Sequence, residues 1–401
     1  MAIGQTDRES LRIKPETAAA YGAIVGTGNF NALRFASEAL KYNLITTKSK
    51  EIINSRAPRD LIAVDANSEG PIAAEWAYGE YDELIQAALA TTVQNVVGTN
   101  GAATGTGTFS ATGLTIVGAG SPFTAAASGQ WIGVAGALTA GNNKLVQITA
   151  ASATGITVAS GVFTAETGTV NVIVTGARYI NGNTKKSFSI ERFNPDLGTA
   201  GLYEAFRGMV VDKWSHNLAP AGLIDMNFDF VGKDALPMST GSALPGTGIA
   251  SNTNRIMNAV GNVSNILEGG VALQNTYLKS YSLNTMNGVE GLDAVGNFGN
   301  VDFRLGEFGA TVQMGLYLAD ATYYNKHLNQ TQSSLSYRLT DAAGNAYVVT
   351  FPQGKYSVAD RPNGGRNQTL MLNLSFEALD INNTGQVVII DRCGAAVAPQ
   401  T

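Results

Sequence analysis

The residues of this 401-residue chain whose types could do chemistry are two histidines, one cysteine, one carboxylate pair and one glycine-rich stretch. His216 and His327 lie far apart in sequence, and neither has a Cys or His neighbour at metal-ligand spacing, so structural or surface roles are expected. Cys393 in "DRCGAA" is the only cysteine; it permits no internal disulfide and reads as a free, half-buried thiol. Asp82 and Glu83 stand at a helix start, where the helix dipole accounts for adjacent carboxylates. "VGTGNFNA" from Val25 has Gly26 and Gly28 but lacks a third glycine and a preceding strand, and no GxxxxGK[ST], GxSxG, HExxH or CxxC motif occurs. No active site, metal or cofactor is expected.

Composition points to a chain that works by contact. Apolar residues make up 44%, enough for a real core, whereas charged residues make up only 14%, against roughly a quarter in typical soluble domains. A chain this poor in charge hides much of its surface in partners. The net charge of -5 argues against gripping nucleic acid, which calls for a basic face, but is compatible with letting DNA slide past. "MAIGQTDRESLRIKPET" carries charges where a signal peptide needs an apolar run, and no stretch of about 18 apolar residues follows. The product is expected to be made in the cytoplasm, without membrane insertion.

The elements that must position any functional residue come in two copies. "LKYNLITT" from Leu40 echoes "LKSYSLNT" from Leu278, an offset of 238 that also sets Glu75 on Gln313 and Asp82 on Asp320. Both copies read strand, long loop, strand, short helix, with Ile72, Ala74 and Trp76 alternating like Ala310, Val312 and Met314. The two aspartates stand where N-caps are wanted. Further on, "SFSIERF" from Ser187 matches "SLSYRLT" from Ser334 at an offset of 147, and "MNFDF" from Met226 matches "LNLSF" from Leu372 at 146. The order of elements is kept, so a duplicated α+β unit is expected, mainly β with short helices.

The fall in offset from 238 to 147 gives copy one 91 extra residues between helix and third strand. Residues 101–177 hold only Lys144 and Glu166 as charges, and short alternating pieces separated by turn residues predict a small all-β domain, with Phe123, Trp131 and Phe163 as core candidates. The alternative is a low-complexity linker. The expected division is an N-terminal arm (1–33), a first half (34–96 and 184–235) interrupted by the inserted domain (97–183), a linker rich in Gly, Pro and Ser (236–270) and a second half (271–401). Glu75, Asn227, Asp229, Gln313, Asn373 and Ser375 alternate with apolar neighbours on strands, so one sheet face is solvated and the other packs a core. In a monomer such a face is ordinary surface; in a closed oligomer it lines a channel.

"LRFASEALKYN", "SEGPIAAEWAYGEYDELIQAAL" and "FRGMVVDKWSHNLAPAGLIDMNFDFVGKDA" resemble the major tail tube proteins of long-tailed, non-contractile (siphovirus-type) bacteriophages, over about residues 30 to 96 and 184 to 390. The resemblance implies duplicated β-barrel or sandwich halves contributing strands to a ring, usually of six subunits, with rings stacked into a hollow tube in the virion. It implies tape-measure and terminator proteins as partners, besides further copies of the chain, and double-stranded DNA passing without specific binding. Glu75, Asn227, Asp229, Gln313, Asn373 and Ser375 would then face the lumen. The charged loop carrying Lys48, Lys50, Glu51, Arg56, Arg59 and Asp60 would reach the neighbouring ring, although solvated loops look the same. The insert would project outward. The rival reading is a secreted or surface adhesion protein, because Gly-, Thr- and Val-rich β modules also build surface layers.

Overall fold

Period-two alternation decides the architecture: along residues 72–76 and 226–230 every second side chain is buried and its neighbours are not. The computed structural model describes residues 4–394 apart from 18–19, 53, 55, 99–100, 274–275 and 364; the outer ends of the expected arm and second half lie outside these. Strands β1 (Ser10–Pro15), β2 (Phe30–Leu33), β3 (Lys41–Lys48) and β4 (Leu61–Glu75) precede helix α1 (Asp82–Ala88). After the insert come β5 (Ala177–Ile180), β6 (Phe188–Asn194), β7 (Leu202–Leu218) and β8 (Asp225–Gly232). The second half runs β9 (Val263–Glu268), β10 (Leu278–Met286), β11 (Gly309–Tyr317), α2 (Thr322–Leu328), β12 (Ser333–Thr340), β13 (Ala346–Asp360), β14 (Met371–Ala378) and β15 (Ile389–Cys393). The chain is thus mainly β with short helices.

Two layers enclose the core. The first is an antiparallel sheet in the order β3, β4, β8, β7, β10, β11, β14, β13, so the two halves join within it through β7 and β10. The second layer has β2, β1, β6 and β7 in one half, and β9, β12, β13, β15 and β5 in the other. Strands β7 and β13 serve both layers: the first part of each pairs in the second layer, and after a bulge the remainder pairs in the first. A bulge bends a strand, which lets it change sheets. Trp76, Trp214, Phe228, Val312 and Phe376 from the first layer share one core with Ile190, Phe206, Leu335 and Phe351 from the second. The halves are sandwiches and no barrel closes among the described residues, where β3 and the end of β13 each pair on one side.

The bulges also fix how the copies correspond. In β7 the step from Val211 to Lys213 faces Phe230 and Asp229; in β13 the step from Tyr356 to Val358 faces Phe376 and Ser375. Asp229 is therefore the equivalent of Ser375, and their partners on the next strand are Pro71 and Gln313, an offset of 242. The second pair of bulges, at Phe188/Ile190 and Ser333/Leu335, gives 145. The sequence echo thus found the right strands, with β8 and β14 in register at 146 and the other two offsets displaced by four and two residues. Even displacements leave every side chain on its own face. Gly70 shows why β4 cannot be read by alternation alone: at φ 143° its backbone lies so close to Ala39 that any Cβ would strike the Ala39 carbonyl.

The helix starts differ from expectation. Tyr81 and Ala321 hold the N-cap positions and neither side chain caps. Asp320 accepts the Thr322 N–H at 2.9 Å, whereas Asp82 sits inside the first turn of α1, pairs with Arg392 at 2.6 Å and accepts the Tyr347 hydroxyl.

A separate seven-stranded sheet spans residues 102–175 and encloses its own core, including Phe109, Phe123, Phe163 and Val172. Trp131 instead lies half-buried at the seam with the second layer, against Leu145, Ala346 and Cys393. Arg178 of β5 makes two bonds to Asp391 of β15, at 2.6 and 2.8 Å, and a third to the Gly129 carbonyl at 2.7 Å; Asp391 also accepts the Trp131 N–H at 3.1 Å. Burial raises the Asp391 carboxyl pKa, and Arg178 opposes that. Two stretches fall elsewhere than the sequence division put them: residues 177–180 belong to the second layer as β5, and residues 263–268, inside the expected linker, form β9 against β12. Cys393 is fully buried, not half-buried, and burial holds its thiol well above the usual range, which keeps it protonated and inert.

Candidate functional site: a polar sheet face

Adjacent first-layer strands place directly opposed residues on one face, so the register builds continuous polar rows. The first row reads Glu75, Asp225, Asn217, Ser282, Gln313, Ser375 across both halves. The second reads Asn227, Ser215, Asn284, Thr311, Glu377, Lys355. Asp229 and Lys213 flank these rows at one end, and Asn373 and Asp360 at the other. The opposite face of the same strands carries Trp76, Trp214, His216, Leu283, Val312 and Phe376, all buried.

All six residues expected on a solvated face are brought together there. Gln313 and Asn373 are exposed, and Glu75, Asn227, Asp229 and Ser375 are half-buried among neighbours of the same sheet. Asn227 Nδ2 donates to Asp229 Oδ1 at 2.7 Å, and Thr311 Oγ1 to Glu377 Oε2 at 2.7 Å. The reading missed Asp225, Glu377, Asp360, Lys213 and Lys355, although "VVDKWSHNL" shows the signal: Lys213, Ser215 and Asn217 alternate with buried Trp214, His216 and Leu218. These rows and their flanks therefore carry five carboxylates and two lysines. Lys213 stands opposite Asp229 and Lys355 opposite Glu377, which leaves Glu75, Asp225 and Asp360 uncompensated by a lysine within these rows. Glu75 and Asp225 are direct cross-strand neighbours, an arrangement that costs stability in a sheet.

Beyond this sheet, β3 and β4 continue as a hairpin. Lys48, Lys50, Glu51, Arg56, Arg59 and Asp60 are all exposed at or near its tip, where Arg59 pairs with Glu51 at 2.8 Å. Its stem exposes Leu44, Ile45, Leu61, Ile62 and Val64, so the hairpin presents apolar as well as charged side chains.

The histidines hold structure. His216 is buried beside Trp76, with ring centroids 5.0 Å apart, and its Nε2 shares a 2.5 Å hydrogen bond with the Tyr337 hydroxyl. Burial lowers its pKa to about 3, so the ring stays neutral. His327 Nδ1 bonds the Tyr356 carbonyl at 2.8 Å. The tryptophans form no exposed platform, since Trp76 and Trp214 pack edge to face in the core at 5.9 Å. Among the described residues no group of three or more His, Cys, Asp or Glu could hold a metal ion, and no helix is long and apolar enough to cross a membrane.

Two like sandwich units sharing one polar sheet, with edges left open, define a structural β protein whose working parts are faces and edges. Residues 6–378 match the family of phage tail tube proteins, and the chain belongs to that family. It is a structural component of the virion tail. No curated protein matches it.

Proposed function

We propose that the chain assembles as stacked rings into the phage tail tube, with the polar face of the first layer lining the lumen through which double-stranded DNA leaves. The observation that carries this is the continuity of polar rows through β7 and β10, which makes both halves one wall. Each half supplies four strands of that wall. The number of subunits in the ring is the one the family resemblance implies, usually six. Excess carboxylates repel phosphates, the amides and hydroxyls between them carry no charge, and Lys213 and Lys355 each stand opposite a carboxylate. The insert is fixed to the second layer, away from the polar face, so it decorates the outside of the tube. The tape-measure and terminator proteins meet the tube at its lumen and its end.

The experiment is charge reversal in the phage. Glu75→Lys with Asp229→Lys is expected to leave tubes intact and to slow or trap DNA during ejection. Unaltered ejection by tubes carrying both lysines would contradict the lining.

A further inference from the structure

The two halves meet in both layers of the chain, and the two meetings differ in kind. In the first layer β7 pairs with β10, Lys213 to Leu218 against Tyr281 to Met286. Neighbouring strands in a sheet take up a range of twist angles, so one ladder between two sandwiches leaves the angle between them loosely set. In the second layer each half has its own set of strands, and β5 crosses from one to the other.

By sequence β5 belongs to the first half, after α1 and the insert, yet it pairs with β15 of the second half, Arg178 opposite Asp391 and Tyr179 opposite Ile390. On its other side β15 pairs with the start of β13, Ala346 opposite Cys393 and Thr350 opposite Ile389. Just beyond β5 the chain returns to its own half: the Gly182 N–H donates to the Leu89 carbonyl at 2.9 Å and the Thr184 N–H to the Ala90 carbonyl at 2.7 Å, past the end of α1. Between these anchors Asn181 Oδ1 accepts the Val387 and Val388 N–H groups at 2.7 and 3.0 Å, and its Nδ2 donates to the Gly385 carbonyl at 3.0 Å. Strand β5 is thus a strap tied to both halves. Copy two passes directly from α2, which ends at Leu328, to β12, which starts at Ser333.

The side chains of the strap hold it from two directions. Tyr179 packs into the core that the two layers share. Arg178, 5% exposed, turns toward the seam with the insert, where Nε and Nη2 each donate to a carboxylate oxygen of Asp391, itself 1% exposed. A charge pair this deep adds little over an apolar pair of the same size, but losing one member leaves the other charge buried and unmatched, which is strongly unfavourable. Helix α1 adds a tie to the same strands: Asp82 pairs with Arg392 of β15, and the Gly79 N–H donates to the Tyr347 hydroxyl of β13 at 2.9 Å.

We propose, resting on the tube reading above, that β5 and the Arg178–Asp391 pair set the angle between the two halves, and through it the curvature of the tube wall. The wall bends where β7 meets β10, and the strap spans the same junction on the other layer, holding the two sandwiches at one opening. Arg178 is a positioning residue for assembly. A chain whose strap is released keeps both sandwiches and the inner ladder but builds walls of more than one curvature.

Cys393 is a native reporter for the test in the full chain, because its thiol is buried at the seam, 3.5 Å from the Trp131 carbonyl. Arg178→Ala strands Asp391; it is expected to make Cys393 react with a water-soluble maleimide under native conditions and to shift or broaden the tube diameter seen by electron microscopy. Arg178→Met with Asp391→Leu fills the seam without charge, and is expected to return both the unreactive thiol and the wild-type diameter. Reactive Cys393 in Arg178→Ala tubes of unchanged diameter would overturn the curvature role and leave the tube reading intact. So would a double variant with an unreactive thiol and an altered diameter, and an unreactive Cys393 in Arg178→Ala would overturn the strap itself. A wild-type chain that forms no tubes fails the tube reading, and small-angle scattering of monomers then decides the strap: a wider distance distribution for Arg178→Ala than for the wild type supports it, and identical curves overturn it. Should Arg178→Ala fail to fold, Asn181→Ala, which removes the ties to Gly385, Val387 and Val388 without stranding a charge, takes its place with the same readings.

Discussion

His216 shows what a single buried residue can reveal about the fold. Its pKa near 3 lies below the value of about 6.5 it has in the unfolded chain, so between those pH values the unfolded state binds a proton that the folded state does not. Stability contributed by the neutral ring is complete above about 6.5 and falls as pH drops, by about 1.4 kcal/mol per pH unit. His216→Phe is expected to lower stability at neutral pH and to flatten the pH dependence between about 6.5 and 4, which denaturant unfolding at several pH values measures. Equal slopes in both proteins would contradict the buried, neutral assignment. Alternation in "DKWSHNL" already places this histidine with Trp214 and Leu218 on the inward face. Its bond to Tyr337 was not legible, because that pairing joins β7 to a strand more than a hundred residues later.

At the scale of elements, period-two patterning located the strands and their faces, since burial acts on each side chain where it stands. It could not locate register, which rests on bulges at Val211/Lys213 and Tyr356/Val358 that leave no mark in composition. The polar face was therefore half legible: Glu75 and Gln313 were found, while their row partners Asp225 and Ser282 emerge only once strands are paired. The insert was legible from its loss of charge. Its ends meet: the Gly176 N–H donates to the Gly101 carbonyl at 2.9 Å and the Val97 N–H to the Gly176 carbonyl at 2.8 Å. Deleting residues 101–175 is expected to uncover the Cys393 seam at modest cost in stability and to spare tube formation, checked by electron microscopy of the purified variant. A folded deletion variant that forms no tubes would show that the insert takes part in assembly.

For the whole molecule, the duplication explains why one chain can be half sealed and half open. One junction is closed within the chain at β7 and β10, and among the described residues its counterpart is left as two open edges and a hairpin that exposes apolar side chains. Exposed sheet edges and aliphatic side chains are a liability in a monomer and an assembly code in a polymer. Many modest junctions of this kind add through effective concentration, so growth is expected to be cooperative. The most direct measurement is the electron cryomicroscopy map of tubes grown from the purified chain. The account expects stacked rings whose inner wall is the first-layer sheet of each chain, with Glu75 and Gln313 facing the pore. A map in which that polar face points outward, or is buried between rings, would contradict it.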